Sequence, residues 1–93
     1  MIKVLVVDDS SFMRANIKTL LISADDIEVV GIARTGREAI DKTKALKPDV
    51  ITMDINMPDM SGIDAVEYIM KIHPVPIIMV SSLTFEGAEE TIR

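Results

Sequence analysis

Four short apolar runs, rich in Val and Ile, recur along the chain at nearly equal intervals. They begin 25, 23 and 25 residues apart and occupy residues 2–7, 27–33, 50–53 and 75–80. The first and last runs are almost continuously apolar, which is typical of strands buried on both faces of a parallel sheet. A chain of 93 residues has room for one such domain.

The intervals between these runs have the periodicity of helices. Apolar residues of the first interval share one helical face, and they are Met13, Ile17, Leu20, Leu21 and Ala24. The second interval opens with the capping-box residues Thr35 and Glu38 and stops at Pro48. The third helix ends at His73, and a fourth begins near Thr84. This β-α-β-α-β-α-β-α order predicts a doubly wound α/β sheet.

Composition narrows the class of protein. The absence of cysteine excludes disulfides, thiolate metal sites and a cysteine nucleophile. No apolar run reaches the length of about 18 residues that spans a membrane, and the N-terminus lacks the features of a signal peptide. We therefore expect a soluble, cytoplasmic protein without membrane contact. The net charge of −5 argues against nucleic acid as the main partner.

Three carboxylates follow the predicted strands. Asp8 and Asp9 come directly after the first run, and Asp54 comes directly after the third. If the third strand returns to lie beside the first, the winding of the sheet reverses between them. Ligands bind at the carboxyl ends of strands at such a reversal. The three carboxylates would then meet at one point.

Carboxylates that lie this close repel one another, and burial makes each of them harder to ionise. A magnesium ion relieves the repulsion, since Mg²⁺ takes one or two carboxylates, keeps several waters and accepts a phosphate oxygen. An aspartate can also attack phosphorus as a nucleophile. The alternative is that Asp8 caps the first helix and that Asp9 and Asp54 are solvated turn residues. The coincidence of the acid pair with the single acid favours the metal site.

Other polar residues have simpler interpretations. Ser10 or Ser11 suits the N-cap of the first helix. Ser81 and Ser82 follow the fourth run, where a hydroxyl either reaches a group bound at the acid cluster or serves a cap or turn. The single histidine, His73, excludes a multi-histidine metal site, and the isolated glycines exclude a dinucleotide or Walker loop.

Three blocks of the sequence resemble the receiver domain of bacterial and archaeal response regulators. They are VLVVDDS at residues 4–10, DINMPDMSG at residues 54–62 and IIMVSS at residues 77–82. Within that family the chain resembles the regulatory domain of chemotaxis protein-glutamate methylesterase. Residues 27–33, 47–54 and 79–84 carry this likeness, together with SLTxEGA at residues 82–88. Single-domain chemotaxis receivers share much of the same pattern.

The resemblance implies roles at the acid cluster. Asp54 would be the phosphoacceptor. Mg²⁺ would be bound by the carboxylates of Asp9 and Asp54 and by the backbone carbonyl of Asn56, and Asp8 would bind it either directly or through a water. Ser81 would be the switch hydroxyl that turns inward to bond the phosphoryl group.

The resemblance also implies a loop and partners. Met57, Pro58 and Gly62 would shape the loop beside the site. A histidine kinase would donate the phosphoryl group, and the phosphorylated domain would regulate methylesterase output. The methylesterase catalytic domain is not in this chain, so we expect a phosphoacceptor regulatory domain and not an enzyme.

The chain departs from the family pattern at its C-terminal end. The family's flavodoxin-like fold has strand order 2-1-3-4-5, whereas the predicted elements of this chain end in a fourth helix at Arg93. We therefore expect an incomplete receiver domain over residues 1–93 with strand order 2-1-3-4. It would lack the fifth strand, the last helix and the family's phosphoryl-pairing lysine. Strand 4 would become an edge, through which the fragment would dimerise, exchange elements or remain marginally stable.

Two other classes of function compete with the receiver interpretation. An aspartate-based phosphatase would have Asp-x-Asp after the first strand and a cap domain, but the acids here are adjacent. A flavin-binding module would have a hydroxyl-rich phosphate loop and aromatic residues around the ring. The chain has only one Tyr, two Phe and no Trp, and its acid pair opposes a phosphate without a metal.

Overall fold

The structure of the chain is a computed structural model that describes residues 1–80. In chain order the elements are β1 (Ile2–Val7), α1 (Ser11–Ile22), β2 (Ile27–Ala33), α2 (Gly36–Leu46), β3 (Val50–Asp54), α3 (Gly62–Ile72) and β4 (Ile77–Val80). The four strands form one parallel sheet in the order β2-β1-β3-β4. The predicted doubly wound α/β class and strand order are confirmed. The predicted fourth helix, with Ser81 and Ser82 before it, lies outside the described residues.

The strand boundaries differ from the sequence prediction at two points. β1 and β2 have the predicted bounds, but β3 extends one residue further, because Asp54 pairs with Val80 of β4. β4 begins at Ile77 instead of Val75. Pro76 has no N–H to donate to the ladder, and its carbonyl accepts a bond from the Ile51 N–H at 3.1 Å. Asp54 is therefore the last residue of a strand and not the first residue after one.

The helices lie on opposite faces of the sheet. The chain runs from β1 outward to β2 and then back past β1 to β3, so right-handed crossovers place α1 on one face and α2 and α3 on the other. α2 and α3 pack together. The residues that they bury include Ala39, Ile40, Ala65 and Ile69. Among the described residues, no helix is long and apolar enough to cross a membrane.

The predicted inner face of α1 is only partly confirmed. α1 packs against β1 and β2. Met13, Ile17 and Leu21 are half-buried, but Leu20 is 72% exposed and no residue of α1 is fully buried. The helical period gave the direction of the apolar stripe correctly. Its width was overestimated, since Leu20 belongs to the predicted stripe but is exposed.

Side chains fix the start of each helix. The Ser10 hydroxyl accepts a bond from the Met13 N–H, which identifies Ser10 as the predicted cap of α1. The Thr35 hydroxyl accepts from the Glu38 N–H at 3.1 Å, as the capping box predicted. In a capping box the Glu38 carboxylate would also accept a bond from the Thr35 N–H, but here it lies 3.7 Å from the Arg34 guanidinium.

A glycine at the start of α3 allows this helix to lie directly against β3. The N–H of Gly62 donates to the carbonyl of Ile55 at 2.8 Å. A Cβ atom at Gly62 would lie 2.2 Å from the carbonyl oxygen of Asp54. That oxygen belongs to the backbone of a central strand and has little freedom to move away. Only glycine fits at this position.

We predict that Gly62→Ala lowers the free energy of unfolding by about 1–3 kcal/mol, because the overlap with the β3 backbone outweighs the higher helix propensity of alanine. Urea unfolding followed by circular dichroism measures this change. Glu67→Ala is the matched control, since Glu67 is exposed on the same helix and should change stability by less than about 0.5 kcal/mol. Equal stabilities of the two variants would contradict the close approach.

Candidate functional site

Strand pairing brings the three predicted carboxylates together. β1 and β3 are neighbours, and Val7 is paired with Met53. The residues that follow this pair, Asp8 and Asp54, therefore lie side by side. One carboxylate oxygen from each of Asp8, Asp9 and Asp54 lies within 4.8 Å of the other two. Asp8 and Asp54 are fully buried, whereas Asp9 is exposed. The cluster therefore has a buried base formed by two carboxylates and an open side at Asp9.

The side chain of Asp8 is only partly satisfied by the protein. Its Oδ1 accepts a bond from the Ser10 N–H at 2.8 Å. Its Oδ2 is buried and has no hydrogen-bond partner among residues 1–80. The alternative that Asp8 caps α1 is not supported, because the cap is the hydroxyl of Ser10. A buried carboxylate oxygen beside two further carboxylates fits a bound divalent cation, since oxygen is the ligand that Mg²⁺ prefers.

The electrostatic surroundings of Asp8 point the same way. Burial raises the pKa of Asp8, and the negative charge of Asp9 also raises it. The bond from the Ser10 N–H and the positive charge of Arg14 lower the pKa, but the balance remains above the ordinary aspartate value. Ionisation of Asp8 therefore costs free energy in the folded protein. A cation at the cluster would remove that cost.

Asp54 is held at the start of the loop formed by residues 55–61. Its Oδ1 accepts a bond from the Asn56 N–H at 3.3 Å, which places the Asn56 backbone beside the cluster. Met57 packs against the hydrophobic core, and Pro58 is exposed. Gly62 closes the loop against Ile55. Ser81 lies outside the described residues, so its role remains a prediction.

Two residues near the site were not predicted from the sequence. Arg14 Nη1 donates to the backbone carbonyl of Asp8 at 2.8 Å, and so holds the end of β1 from the first turns of α1. The position of Arg14 shortly after the acid pair was a usable signal. Asp59 binds the N-terminus of α2, with partners 22 and 23 residues away in the chain. No local sequence pattern predicts a contact between residues so far apart in the chain.

Comparisons with known proteins agree with this fold. The model of the response regulator receiver domain family matches residues 4–92. A protein-glutamate methylesterase/protein-glutamine glutaminase of Methanococcoides burtonii is 59% identical over 93 residues, which are 100% of this chain and 26% of that protein. The response regulator domain of Thermotoga maritima CheB is 58% identical with a TM-score of 0.86, over 99% of this chain and 69% of that one.

A third similar protein is CheY6 from R. sphaeroides, whose structure was solved in complex with the P1 domain of CheA3. It is 33% identical with a TM-score of 0.77, over 99% of this chain and 72% of that one. The chain spans about a quarter of the length of the methylesterase that it matches.

The fold and the acid cluster thus define a regulatory domain of two-component signalling. The chain belongs to the response regulator receiver domain family. Within that family it is similar to the regulatory domain of CheB, as the sequence predicted. The family match over nearly the whole chain favours the receiver over the phosphatase and the flavin-binding module.

We predict that Asp8→Asn stabilises the protein in the absence of Mg²⁺. The free energy of unfolding at pH 7 should rise by about 1 kcal/mol, a typical single-residue effect, because a buried charge in a repulsive cluster is removed. The gain should shrink as the pH falls through the raised pKa of Asp8, since the wild-type carboxyl is then protonated and no longer costs stability. Thermal unfolding at several pH values measures this.

Magnesium provides the second half of this test. Mg²⁺ should raise the melting temperature of the wild-type protein, because it binds only the folded site, and should raise that of Asp8→Asn less. Asp25→Asn is the control, since Asp25 is exposed and lies outside the cluster. A destabilised Asp8→Asn variant that gains as much from Mg²⁺ as the wild type would contradict the assignment.

Proposed function

We propose that this chain accepts a phosphoryl group on Asp54 with the aid of Mg²⁺. The carboxylates of Asp8, Asp9 and Asp54 and the backbone carbonyl of Asn56 would hold the ion. The observation that carries this proposal is the meeting of three carboxylates within 4.8 Å at the carboxyl ends of β1 and β3. Strand ends at a reversal of winding are where open α/β sheets bind ligands.

The nucleophile of the proposed reaction is a carboxylate oxygen of Asp54. It forms a bond to the phosphorus as the bond from phosphorus to the donor's imidazole nitrogen breaks, and the product is an acyl phosphate. Bound Mg²⁺ supplies positive charge that neutralises the phosphoryl oxygens. Asp54 ends a central strand and is oriented by the Asn56 N–H. A fixed strand end suits a nucleophile that must meet phosphorus in line.

The proposed phosphoryl donor is a histidine kinase. The complex of CheY6 with the P1 domain of CheA3 supports a protein partner for a receiver of this kind. The exposed carboxylate of Asp9 marks the open side of the cluster, from which a phosphohistidine would approach. We place this exchange in the cytoplasm.

The proposed output is control of a methylesterase. Relatives that are 53–59% identical to the chain carry the name protein-glutamate methylesterase, and this chain matches about a quarter of their length. We infer that the receiver regulates a C-terminal catalytic domain in the full protein. Ser81 would sense the phosphoryl group as the switch hydroxyl, and Met57, Pro58 and Gly62 would keep the loop in shape beside it.

Phosphorylation of Asp54 can be tested by intact mass. After incubation with Mg²⁺ and acetyl phosphate, the wild-type chain should gain one phosphoryl group, and Asp54→Asn should gain none. Chelation of Mg²⁺ should slow the reaction at least about a hundredfold, because the charge on the phosphoryl oxygens is then unopposed. The exposed-residue variant Asp25→Asn should react like the wild type. An adduct that persists in Asp54→Asn, or no adduct on a folded wild-type chain, would contradict the proposal.

The outer edge of β4 is a proposed contact between copies of this chain. Among residues 1–80 no strand pairs with that edge, and Ile78 and Met79 are 56% and 40% exposed. Unpaired apolar edges of this kind recruit strands from other chains. We predict that the 93-residue chain self-associates in sedimentation velocity experiments and that Ile78→Lys weakens the association. A wild-type chain that stays monomeric at all concentrations would contradict this.

A further inference from the structure

The side chain of Asp59 connects the loop after β3 to the start of α2. Its Oδ1 accepts a bond from the Gly36 N–H and its Oδ2 accepts one from the Arg37 N–H, both at 2.9 Å. The Thr35 hydroxyl takes the next N–H, that of Glu38, at 3.1 Å. Asp59 and Thr35 thus satisfy three N–H groups that the helix itself leaves without acceptors. Thr35 is the residue directly before α2, whereas Asp59 lies in the loop after β3.

Packing reinforces the connection between the loop and α2. Gly36 is buried, and a Cβ atom there would lie 2.3 Å from Cγ of Met60 and 3.5 Å from Oδ1 of Asp59. Residues 59 and 60 therefore lie directly on the first turn of α2. Desolvation raises the pKa of Asp59, but the N–H bonds from Gly36, Arg37 and the loop itself together lower it below the usual range. The group is a carboxylate at neutral pH and can accept both bonds.

The same loop carries the backbone that borders the phosphoacceptor site. It starts at Asp54, whose Oδ1 is bonded to the Asn56 N–H. It ends at Ser61, which caps α3. The N–H of the next residue, Gly62, donates a hydrogen bond back to the carbonyl of Ile55. Asp59 joins the middle of this loop to α2 by two hydrogen bonds, and Met60 packs on the same turn of the helix.

We propose that Asp59 is a positioning residue for the phosphoacceptor site, which fixes residues 55–61 against the first turn of α2 and so holds the Asn56 backbone beside Asp54. The positioning role rests on the proposed function, because it presupposes that Asp54 is a phosphoacceptor. The hydrogen bonds of Asp59 themselves do not depend on phosphorylation. The bonds go to backbone N–H groups, so the side chain at position 37 is not part of the link. The Arg37 guanidinium lies instead 3.4 Å from Asp41.

The test compares Asp59→Ala with Thr35→Ala in the 93-residue chain. Both variants remove a cap from α2, so both should lower the melting temperature. Only Asp59→Ala removes hydrogen bonds between the loop and α2. The dissociation constant for Mg²⁺, followed through the Asn56 amide resonance in an NMR titration, should rise roughly tenfold in Asp59→Ala, the size seen when the support of a metal ligand is removed. The dissociation constant should be unchanged in Thr35→Ala. It should also be unchanged in Arg37→Ala, because alanine keeps the backbone N–H that donates to Asp59.

Asp59→Asn provides the graded variant and covers the case in which Asp59→Ala does not fold. An amide keeps one acceptor oxygen and loses the other, so the Mg²⁺ dissociation constant should lie between those of the wild type and Asp59→Ala. Equal dissociation constants in the wild type and both Asp59 variants would reduce Asp59 to a cap of α2 and overturn the proposal.

The outcome is separable from that of the proposed function. If the wild-type chain binds Mg²⁺ but accepts no phosphoryl group, the proposed phosphoacceptor function is contradicted. The Mg²⁺ dissociation constants of the Asp59 variants still test the role of Asp59. If the wild type bound no Mg²⁺, the heteronuclear NOE of the Asn56 amide would decide. The proposal expects this NOE to fall in Asp59→Ala and to stay at the wild-type value in Thr35→Ala, and equal values in the two variants would overturn it.

Discussion

The parallel pairing of β1 with β3 is the constraint on which the rest of the site depends. Its register pairs Val7 with Met53, both fully buried, and thereby brings the carboxylates that follow them to the same level of the sheet. Burial and mutual repulsion disfavour this arrangement, as the raised pKa of Asp8 shows. The apolar core beneath it supplies the compensating stability. The fold thus holds together charges that would separate in a less rigid framework.

Supporting contacts around the cluster come from three directions. Arg14 holds the end of β1 from α1, and the Asn56 N–H orients Asp54 from the following loop. Asp59 fixes that loop to α2. Each of these contacts joins a side chain to a backbone group. The candidate phosphoacceptor is therefore positioned by the sheet, and its neighbouring loop is positioned by a helix.

The sequence was informative wherever short-range patterns determine structure. The apolar runs located β1 and β2 with their observed bounds, and the side chains of Ser10 and Thr35 marked helix starts as predicted. The acid cluster was predictable because strand ends in a parallel sheet share one edge. The exposure of Leu20 was not, since it depends on what covers that face of the sheet. Nor was the contact of Asp59 with α2, which joins residues distant in sequence and follows from how two loops meet in space.

The central claim is that the cluster of Asp8, Asp9 and Asp54 holds a divalent cation beside Asn56. Paramagnetic Mn²⁺ tests it most directly, because this ion occupies oxygen-ligand sites of the same kind and broadens the NMR signals of nearby nuclei. At substoichiometric Mn²⁺ the amide signals of residues 8, 9, 54 and 56 should disappear first, and excess Mg²⁺ should restore them. Broadening centred on other acidic residues, such as Asp25 and Asp26, with these four signals intact, would contradict the account.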